Sequence, residues 1–449
     1  MHGTSRPPQP ASFPPHFVMK CVTGIPLLLL ISTLRDTSCQ LEGIADLVQD
    51  NLSTDPDKNR GIQEFINSRG FDYQLYTVQT ADGYDIDVHR IIHPYKKVTK
   101  QPVLFASVLA GAGVEWLRNS PGGNVNESTQ VVGPNIGFEV AKRGYDVWIM
   151  DFRGKGSPDE RYNRNLDLQY YDYSMDEYAL FDLPVAIDLV MRVTKASKIA
   201  YVSLIDSTTV YFMLASMVRR FNHLMQPVIA LSPTWTQYNS THPSEKDIRQ
   251  TRRKIRQKVD MRGPEGVGGV PLPPPVIEAA SRLLCNLKIT QRFLCNPFFY
   301  LGLRFTFTKG KVGSVNYDRL SVYASTATRT TRGSEWQSAQ LESFTISKRV
   351  KMLDVNPQSN MERYCGSPRE YMPERITNPE IHFMNAESSQ SYTIADMDPF
   401  KKRLGTKVRS EINVPKSVDW SPMSFQDGRP DDVSQYVNAP ILKILKSYN

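Results

Sequence analysis

The chain has 449 residues, of which 40% are hydrophobic and 22% are charged. This composition excludes a disordered or low-complexity protein, and the length suits one large domain with an insertion or two ordinary domains. The formal net charge of +8 favours contact with acidic surfaces or anionic lipid, although a solvated basic surface is the simpler interpretation. The sequence has no interleaved basic and aromatic pattern, so nucleic acid is not predicted as a partner.

The N-terminus has the pattern of a targeting segment. Met19 and Lys20 precede a short apolar run at 25–31, and small residues lead to Cys39. We predict a leader over residues 1–39, with a signal peptide that starts at Met19 and is cleaved after Cys39. The apolar run is too short to span a bilayer, and no other stretch suits a membrane span. The mature chain is therefore predicted to be secreted or to lie in the lumen of the secretory or lysosomal pathway, with a short signal anchor as the alternative.

Residues 40–72 read as a polar segment with helical character, and residues 73–235 alternate between strand and helix patterns. A hairpin with its turn at Asp82-Gly83 comes first, followed by the continuous apolar runs that are typical of buried parallel strands. The predicted elements are strands Tyr73–Thr80, Tyr84–Ile92 and Pro102–Leu109, helix Asn135–Arg143, strand Tyr145–Met150, helix Asp176–Val193, and strands Ile199–Ser203 and Pro227–Leu231. This alternation predicts an α/β fold with a mostly parallel, right-handed sheet.

The strand Ile199–Ser203 leads through a sharp turn into a helix that opens at Ser207. Enzymes with the motif G-x-S-x-G place a nucleophile on a strand, turn and helix of this kind, because the tight turn exposes one side chain above the sheet. Here positions 203–207 read Ser-Leu-Ile-Asp-Ser, so that Ile205 stands at the apex. An isoleucine side chain cannot attack a carbonyl carbon.

Residues 236–375 interrupt the α/β pattern and are predicted to form a mainly helical cap or lid over the carboxyl ends of the strands. The cap carries a basic run, Lys246–Lys258. The simplest interpretation is that this run forms a solvent-exposed face of the cap. The alternative is that it binds an anionic lipid surface or an acidic partner. The α/β pattern resumes over 376–449, with a strand at Glu380–Met384 and a closing helix at Val433–Tyr448.

Three cysteines remain in the predicted mature chain. Cys285 and Cys295 flank a short apolar segment and are predicted to close a small disulfide loop in an oxidising compartment, which leaves Cys365 unpaired. Three N-x-S/T triplets are predicted glycosylation sites and agree with secretion, although such triplets also arise by chance: Asn51, Asn126 and Asn239.

Several stretches of the chain resemble the acid lipases of the gastric and lysosomal type. These stretches are Thr80–Tyr84, His89–Ile91, Ala141–Trp148, Phe152–Gly154, Tyr173–Tyr178, Phe181–Asp188 and Asn316–Arg319. The resemblance runs from about residue 60 to the last residue of the sequence, in order and at the expected spacing. It implies an α/β-hydrolase fold, with a mostly parallel sheet flanked by helices and a mainly helical cap.

The resemblance also implies positions for a catalytic triad, which in the acid lipases follows the order serine, acid, histidine. The serine position falls on Ile205, and the acid position falls on Ser388, with Glu387 next to it. The histidine position falls at approximately Ser424, whereas the last histidine in the sequence is His382. The resemblance therefore predicts a family member that lacks the triad.

The resemblance to the acid lipases also implies an altered oxyanion hole. The family's His-Gly pair after the first central strand corresponds to Ser107 and Val108. A β-branched residue in place of glycine restricts the turn and narrows the approach to the backbone N–H groups.

Asp206 is the candidate substitute for the missing catalytic groups, since it is the carboxylate beside the apex. Its simplest interpretation is a first-turn acid that the helix dipole favours. The nearest downstream histidines are His223 and His242, and nothing in the sequence brings either to Asp206. His89 and His93 are predicted to be surface residues. No metal site and no cofactor are predicted, because no histidine or cysteine pattern has ligand spacing.

Three functional hypotheses follow. In the first, the protein is a catalytically inactive lipase-like protein that binds a lipid or another hydrophobic ligand in the cleft under the cap. In the second, it is an active lipid or carboxylic ester hydrolase with a non-standard set of groups around Asp206. In the third, the fold is a secreted scaffold for protein interactions.

Overall fold

The computed structural model describes residues 55–58, 60–95, 97–108, 111–120, 135–154, 168–236, 269–271, 314–319, 322–323, 326, 332–389 and 392–449. Several predictions lie outside these residues: the leader over 1–39, the triplets at Asn51, Asn126 and Asn239, the pair Cys285–Cys295, the basic run Lys246–Lys258, and His242. Within the described residues, no helix is long and apolar enough to cross a membrane.

Eight strands form one sheet, in the order β1-β2-β4-β3-β5-β6-β9-β10. β1 and β2 form an antiparallel hairpin, β2 is antiparallel to β4, and the other neighbours are parallel. Their bounds are β1 Asp72–Gln79, β2 Asp85–Ile92, β3 Pro102–Ala106, β4 Asp146–Met150, β5 Ile199–Leu204, β6 Met225–Leu231, β9 Ile381–Ala386 and β10 Ser410–Val414. Two short strands, β7 Gly269–Pro271 and β8 Arg332–Ser334, pair with each other elsewhere.

Helices cover both faces of the sheet. They are α1 Ile62–Asn67, α2 Ile136–Lys142, α3 Met175–Glu177, α4 Leu183–Thr194, α5 Asp206–Met217, α6 Phe221–Leu224, α7 Glu335–Ser347, α8 Pro357–Tyr364, α9 Asp398–Arg403, α10 Ser424–Asp427, α11 Pro430–Val433 and α12 Ala439–Lys446. The predicted fold class, an α/β-hydrolase arrangement with a mostly parallel sheet flanked by helices, is confirmed.

The alternation of side chains along the strands divides the core into two clusters. Leu104 and Tyr201 on one face belong to a cluster with residues of α4 and α5, such as Ile187. Val103 and Val202 on the other face belong to a second cluster with residues of α2 and α12. Because β3, β4, β5 and β6 are buried along their whole length, each Val, Leu or Ile contributes about 1.5–3 kcal/mol relative to an exposed side chain.

The two long predicted helices are interrupted. The stretch predicted as Asp176–Val193 is α3 and α4 joined by a π-helical turn at Tyr178–Asp182. A proline stands in the first turn of α4, where its missing N–H and fixed φ are tolerated. The predicted closing helix is likewise α11 and α12 joined by a π-helical turn at Ser434–Asn438, again with a proline in the first turn of α12.

Candidate functional site

The turn between β5 and α5 holds Ile205 in a strained backbone conformation. Its φ of 54° and ψ of −112° lie in a region that a β-branched residue rarely adopts, at a cost of about 1–3 kcal/mol. The Ile205 N–H donates to the carbonyl oxygen of Leu231 at 3.0 Å, which ties the turn to the end of β6. The apex of a nucleophile turn is therefore kept in shape, with an apolar side chain that is 7% exposed.

The two serines that flank the turn bind the local backbone or a neighbouring hydroxyl. Ser207 Oγ accepts from the N–H of Leu204 at 3.0 Å and lies 3.3 Å from the carbonyl oxygen of Ala106. The hydroxyls of Ser203 and Thr208 are 2.9 Å apart. Both serines are fully buried. They stabilise the junction between strand and helix, and Ser207 does not point out of the turn as a nucleophile would.

A cavity of about 110 Å³ lies against the turn. Its walls come from the turn itself, from the loop after β6, from α7 and from the segment after β9. The lining residues are Ile205, Asp206, Thr209, Thr234, Trp235, Leu341, Glu342, Phe344, Thr345 and Tyr392. Helix α7, which belongs to the predicted cap, thus lies over the turn, and two carboxylates share the cavity wall with the apolar and aromatic groups.

Asp206 is the first residue of α5 and is partly exposed. This is the first-turn position where the positive end of the helix dipole favours a carboxylate. None of the cavity-lining residues in the described part of the chain is a histidine. His223 lies on α6 and is exposed, so the structure does not join it to Asp206 in this cavity.

The oxyanion positions lie beside the turn, since Ala106 at the end of β3 is paired with Ser203 of β5. Ser107 is fully buried, and its hydroxyl donates to the carbonyl oxygen of Met150 at 3.3 Å. Val108 is half-buried, and its carbonyl oxygen accepts the N–H of Gly111 at 2.8 Å. A backbone hydrogen bond between Gly111 and Val108 therefore stabilises the turn after β3.

The prediction that His89 and His93 are surface residues is wrong, because both are buried. His89 Nε2 lies 3.2 Å from Asp151 Oδ2, and His89 Nδ1 lies 2.8 Å from the Tyr73 hydroxyl. Burial, together with nearby carboxylates, raises the pKa of Tyr73 above its ordinary value. His89 lies in β2, which has neighbouring strands on both sides. The sequence signal for its burial was that His89 shares a strand face with the buried Ile91.

Asp151, which follows β4, accepts the N–H of Gly113 at 2.6 Å in addition to its contact with His89. It therefore holds the loop that follows the oxyanion positions. Asp151 has no local sequence signal, because its contacts join three separate segments of the chain.

The acid position, Ser388, is bound to the backbone of Trp420. Its Oγ donates to the Trp420 carbonyl oxygen at 2.7 Å and accepts the Trp420 N–H at 2.6 Å. Ser424, the approximate histidine position, is fully buried at the start of α10, and its Oγ accepts the N–H of Ser421 at 3.0 Å. The segments that contain the predicted acid and histidine positions thus lie side by side. They are joined by the two hydrogen bonds between the Ser388 hydroxyl and the Trp420 backbone.

His382 lies inside β9 and binds residues away from the turn. Its Nδ1 is 2.8 Å from the Ser410 hydroxyl, and its Nε2 is 2.8 Å from the Tyr448 hydroxyl. Burial, with a further contribution from Arg409, lowers the pKa of His382 to about 4, although Glu380 acts in the opposite direction.

An ion pair ties the loop after β3 to α10. Arg118 donates from Nε and Nη2 to the two carboxylate oxygens of Asp427 at 2.7 and 2.5 Å. Glu115 lies 3.4 Å from the same guanidinium. Burial alone would lower the pKa of Arg118, but these two carboxylates raise it above its ordinary value. The pair joins the loop that follows the predicted oxyanion positions to the helix that contains the predicted histidine position.

Comparisons with known proteins all identify lipases as the proteins to which this chain is similar. The family described as a partial α/β-hydrolase lipase region matches residues 62–120. Human lipase member M is 30% identical over 199 residues, which is 43% of this chain and 44% of the relative. Human lipase member K is 26% identical over 284 residues, which is 61% of this chain and 64% of the relative. Human lysosomal acid lipase/cholesteryl ester hydrolase is 27% identical over 201 residues, covering 43% and 47%.

The chain spans about half the length of the curated relatives it matches.

Proposed function

We propose that this chain, as a member of the acid lipase family of the α/β-hydrolase fold, binds a neutral hydrophobic molecule in the cleft at Ile205 without hydrolysing it. The observation that carries this proposal is the turn itself. It keeps the strained backbone of a nucleophile turn, presents an isoleucine, and lines a cavity under α7.

The loss of catalysis is supported by the chemistry of the replaced groups. Ile205 has no heteroatom to attack an ester, and the hydroxyl of Ser388 is engaged with the Trp420 backbone. No histidine follows His382 in the sequence, so the segment where the family places its histidine base has none. Without nucleophile and base, only weak residual catalysis from binding and backbone groups is expected.

The lining of the cavity favours a neutral ligand over a free fatty acid. Trp235, Leu341 and Phe344 supply apolar surface, whereas Asp206 and Glu342 place two carboxylates on the same wall. A third carboxylate from a fatty acid would be repelled in this partly enclosed site. The cavity of about 110 Å³ is smaller than the roughly 150 Å³ that holds a benzene ring, so it accommodates only the end of an acyl chain. By analogy with the lysosomal acid lipase/cholesteryl ester hydrolase, a cholesteryl ester that places only the end of its acyl chain in the cavity is the proposed ligand class.

The proposal places the protein outside the cell or in the lumen of the secretory or lysosomal pathway. Its support is the leader predicted over 1–39, the predicted Cys285–Cys295 disulfide and the three predicted glycosylation sites. The proposed domain organisation keeps the predicted boundaries, with a cap over 236–375 between the two parts of the core. Anionic lipid binding by the run Lys246–Lys258 remains part of this proposal.

An active hydrolase is the second candidate, and the observation in its favour is that Asp206 and Glu342 line the cavity together. A carboxylate pair is a recognised arrangement for acid–base chemistry. The secreted scaffold is the third candidate, in which the cavity would bind nothing.

The three candidates are separated by one experiment on the purified full chain. The protein is incubated with phosphatidylcholine vesicles that contain cholesteryl oleate, re-isolated and extracted, and bound lipid and released oleate are quantified by mass spectrometry. We expect intact cholesteryl oleate to be bound and no oleate to be released. Oleate release that Asp206→Asn abolishes would establish the hydrolase, and a protein that returns without lipid would establish the scaffold.

Two variants test whether the bound lipid occupies this cavity. Ile205→Lys places a charge in the cavity, and Thr345→Trp fills it from α7, so both are expected to reduce bound lipid at least about tenfold. The matched control is Leu75→Lys, which introduces the same charge at an exposed site on β1 and is expected to leave lipid binding unchanged. Circular dichroism confirms that each variant is folded.

A further inference from the structure

A second concave site lies at the opposite end of the sheet from Ile205. It is a groove of about 920 Å³ between the segment before β3, the end of α2 and helix α12. Six cationic side chains line it, and we call it the basic groove: Lys97, Lys100, Lys142, Arg143, Lys443 and Lys446.

The positive charge of the basic groove is only partly compensated. Lys142 and Arg143 each lie 3.9 Å from Glu139, and the Lys100 ammonium lies 4.6 Å from the centre of the Tyr145 ring. Within the described part of the chain, Lys97, Lys443 and Lys446 are exposed and make no ion pair. Because cations line a concave surface with little opposing charge, the groove concentrates positive potential and attracts anions.

We propose that the basic groove binds a linear sulfated polysaccharide. The cations come from three segments of the chain, with Lys97 and Lys100 before β3, Lys142 and Arg143 at the end of α2, and Lys443 and Lys446 on α12. A linear polyanion can follow a concave surface and contact cations from all three segments, whereas a flat bilayer cannot follow such a surface. Five of the six cations are lysines, and a lysine ammonium acts as a point charge that suits sulfate groups without the bidentate geometry of arginine.

The spacing along α12 matches an extended ligand. Lys443 and Lys446 are three residues apart, so they lie on the same face of the helix. Ala439 and Leu442 line the groove from the same helix and extend that wall over about 10 Å. Tyr95, two residues before Lys97, is 76% exposed and could offer its ring to a sugar.

The location of the basic groove leaves the cleft open. The groove adjoins the residues just before β3 and β4, whereas Ile205 follows the carboxyl end of β5, which is parallel to β3. A strand of five residues separates the two ends by about 16 Å. Binding at the groove would therefore hold the protein on a polyanionic matrix while the cleft still faces solvent. This inference rests on the proposed location outside the cell and not on ligand binding at Ile205.

The test measures binding of the full chain to heparin, a linear sulfated polysaccharide, by isothermal titration calorimetry at increasing NaCl concentration. The groove variant combines Lys97→Gln, Lys100→Gln, Lys443→Gln and Lys446→Gln. We expect heparin affinity to fall at least about tenfold in this variant, and the salt dependence of binding to become weaker. Cholesteryl oleate binding is expected to stay unchanged, so failure of one proposal does not imply failure of the other.

Two controls make the result specific to the groove. The control double variant, Lys402→Gln with Lys407→Gln, removes two exposed lysines near α9 that do not line the groove. It is compared with the double variant Lys443→Gln with Lys446→Gln, which removes the same number of charges from the groove. We expect the α12 pair to weaken heparin binding and the α9 pair to leave it unchanged. Equal effects of the two pairs would overturn the proposal. It would also be overturned if the groove variant lost binding to phosphatidylserine vesicles while its heparin affinity stayed at the wild-type value.

Discussion

Ser388 and Trp420 are joined by a reciprocal pair of hydrogen bonds, in which the Ser388 hydroxyl donates to the Trp420 carbonyl oxygen and accepts the Trp420 N–H. The two residues belong to the segments that would supply acid and histidine to a lipase triad. Trp420 is buried and packs its ring against Phe425. The contact between the two segments is therefore retained, and it is made by a neutral side chain and the backbone.

Replacing Ser388 tests whether this contact is structural. Ser388→Ala leaves the Trp420 N–H without its acceptor and is expected to lower the free energy of unfolding by about 1–2 kcal/mol. Ser388→Asp, which restores the family's acid, places a carboxylate against the Trp420 carbonyl oxygen and is expected to cost more than alanine. Urea denaturation measures both, with Ser434→Ala at an exposed position as the control. A more stable aspartate variant would contradict this account.

The Arg118–Asp427 pair is expected to matter more for stability than an exposed pair. Among the described residues, Asp427→Asn leaves the buried Arg118 guanidinium with Glu115 as its remaining charged partner, and the expected loss is about 3 kcal/mol. The matched control is Asp188→Asn, which breaks an ion pair with Arg220 in which both side chains are about half exposed, at an expected cost below about 0.5 kcal/mol. Chemical denaturation of the two variants measures the difference, and equal losses would show that the buried pair has no special role.

His382 is expected to make the protein less stable in acid. Its pKa is about 4 in the folded chain and about 6.5 in the unfolded chain, so between these values the unfolded chain binds a proton that the folded chain does not. The contribution of His382 to stability is therefore complete above pH 6.5 and falls as the pH drops towards 4. His382→Gln should reduce the difference in melting temperature between pH 7.5 and pH 4.5.

The control for this prediction is His223→Gln, which removes an exposed histidine on α6. It should show the same pH dependence of the melting temperature as the wild type. If His382→Gln also keeps the full pH dependence, the buried histidine is not its source.

The elements that could be predicted from the sequence are those with a strong local pattern. The apolar runs of β3, β4, β5 and β6 identified buried parallel strands, and the turn at Ile205 was found because the strand and helix on either side of it are both clear. β10 was missed, because its pattern Ser-Glu-Ile-Asn-Val is half polar, as is common for a strand at the edge of a sheet.

The contacts that define the site could not be predicted, because they join segments far apart in the chain. Trp420 meets Ser388 across 32 residues, and Asp151 meets His89 across 62. α7 covers the turn only after the chain has folded back over the sheet. Burial of His89 likewise depends on which strands flank β2, and the order of strands in a sheet leaves no local signal.

The basic groove illustrates the same limit. Its cations come from three segments, around Lys97, Lys142 and Lys443, none of which is a conspicuous charge run. The one run that the sequence does show, Lys246–Lys258, lies outside the described residues.

The most direct test of the central claim is ester hydrolysis by the variant Ile205→Ser, measured with p-nitrophenyl butyrate and with labelling by a fluorophosphonate probe. The variant places a serine at the apex of the turn, but no histidine follows His382 in the sequence and none lines the cavity among the described residues. A serine without its base retains only about one millionth of a triad's kcat. We therefore predict no labelling at position 205 and no turnover above that of the wild type. Stoichiometric labelling with turnover well above the wild type would show that a functional base remains in the cleft and would contradict the proposed function.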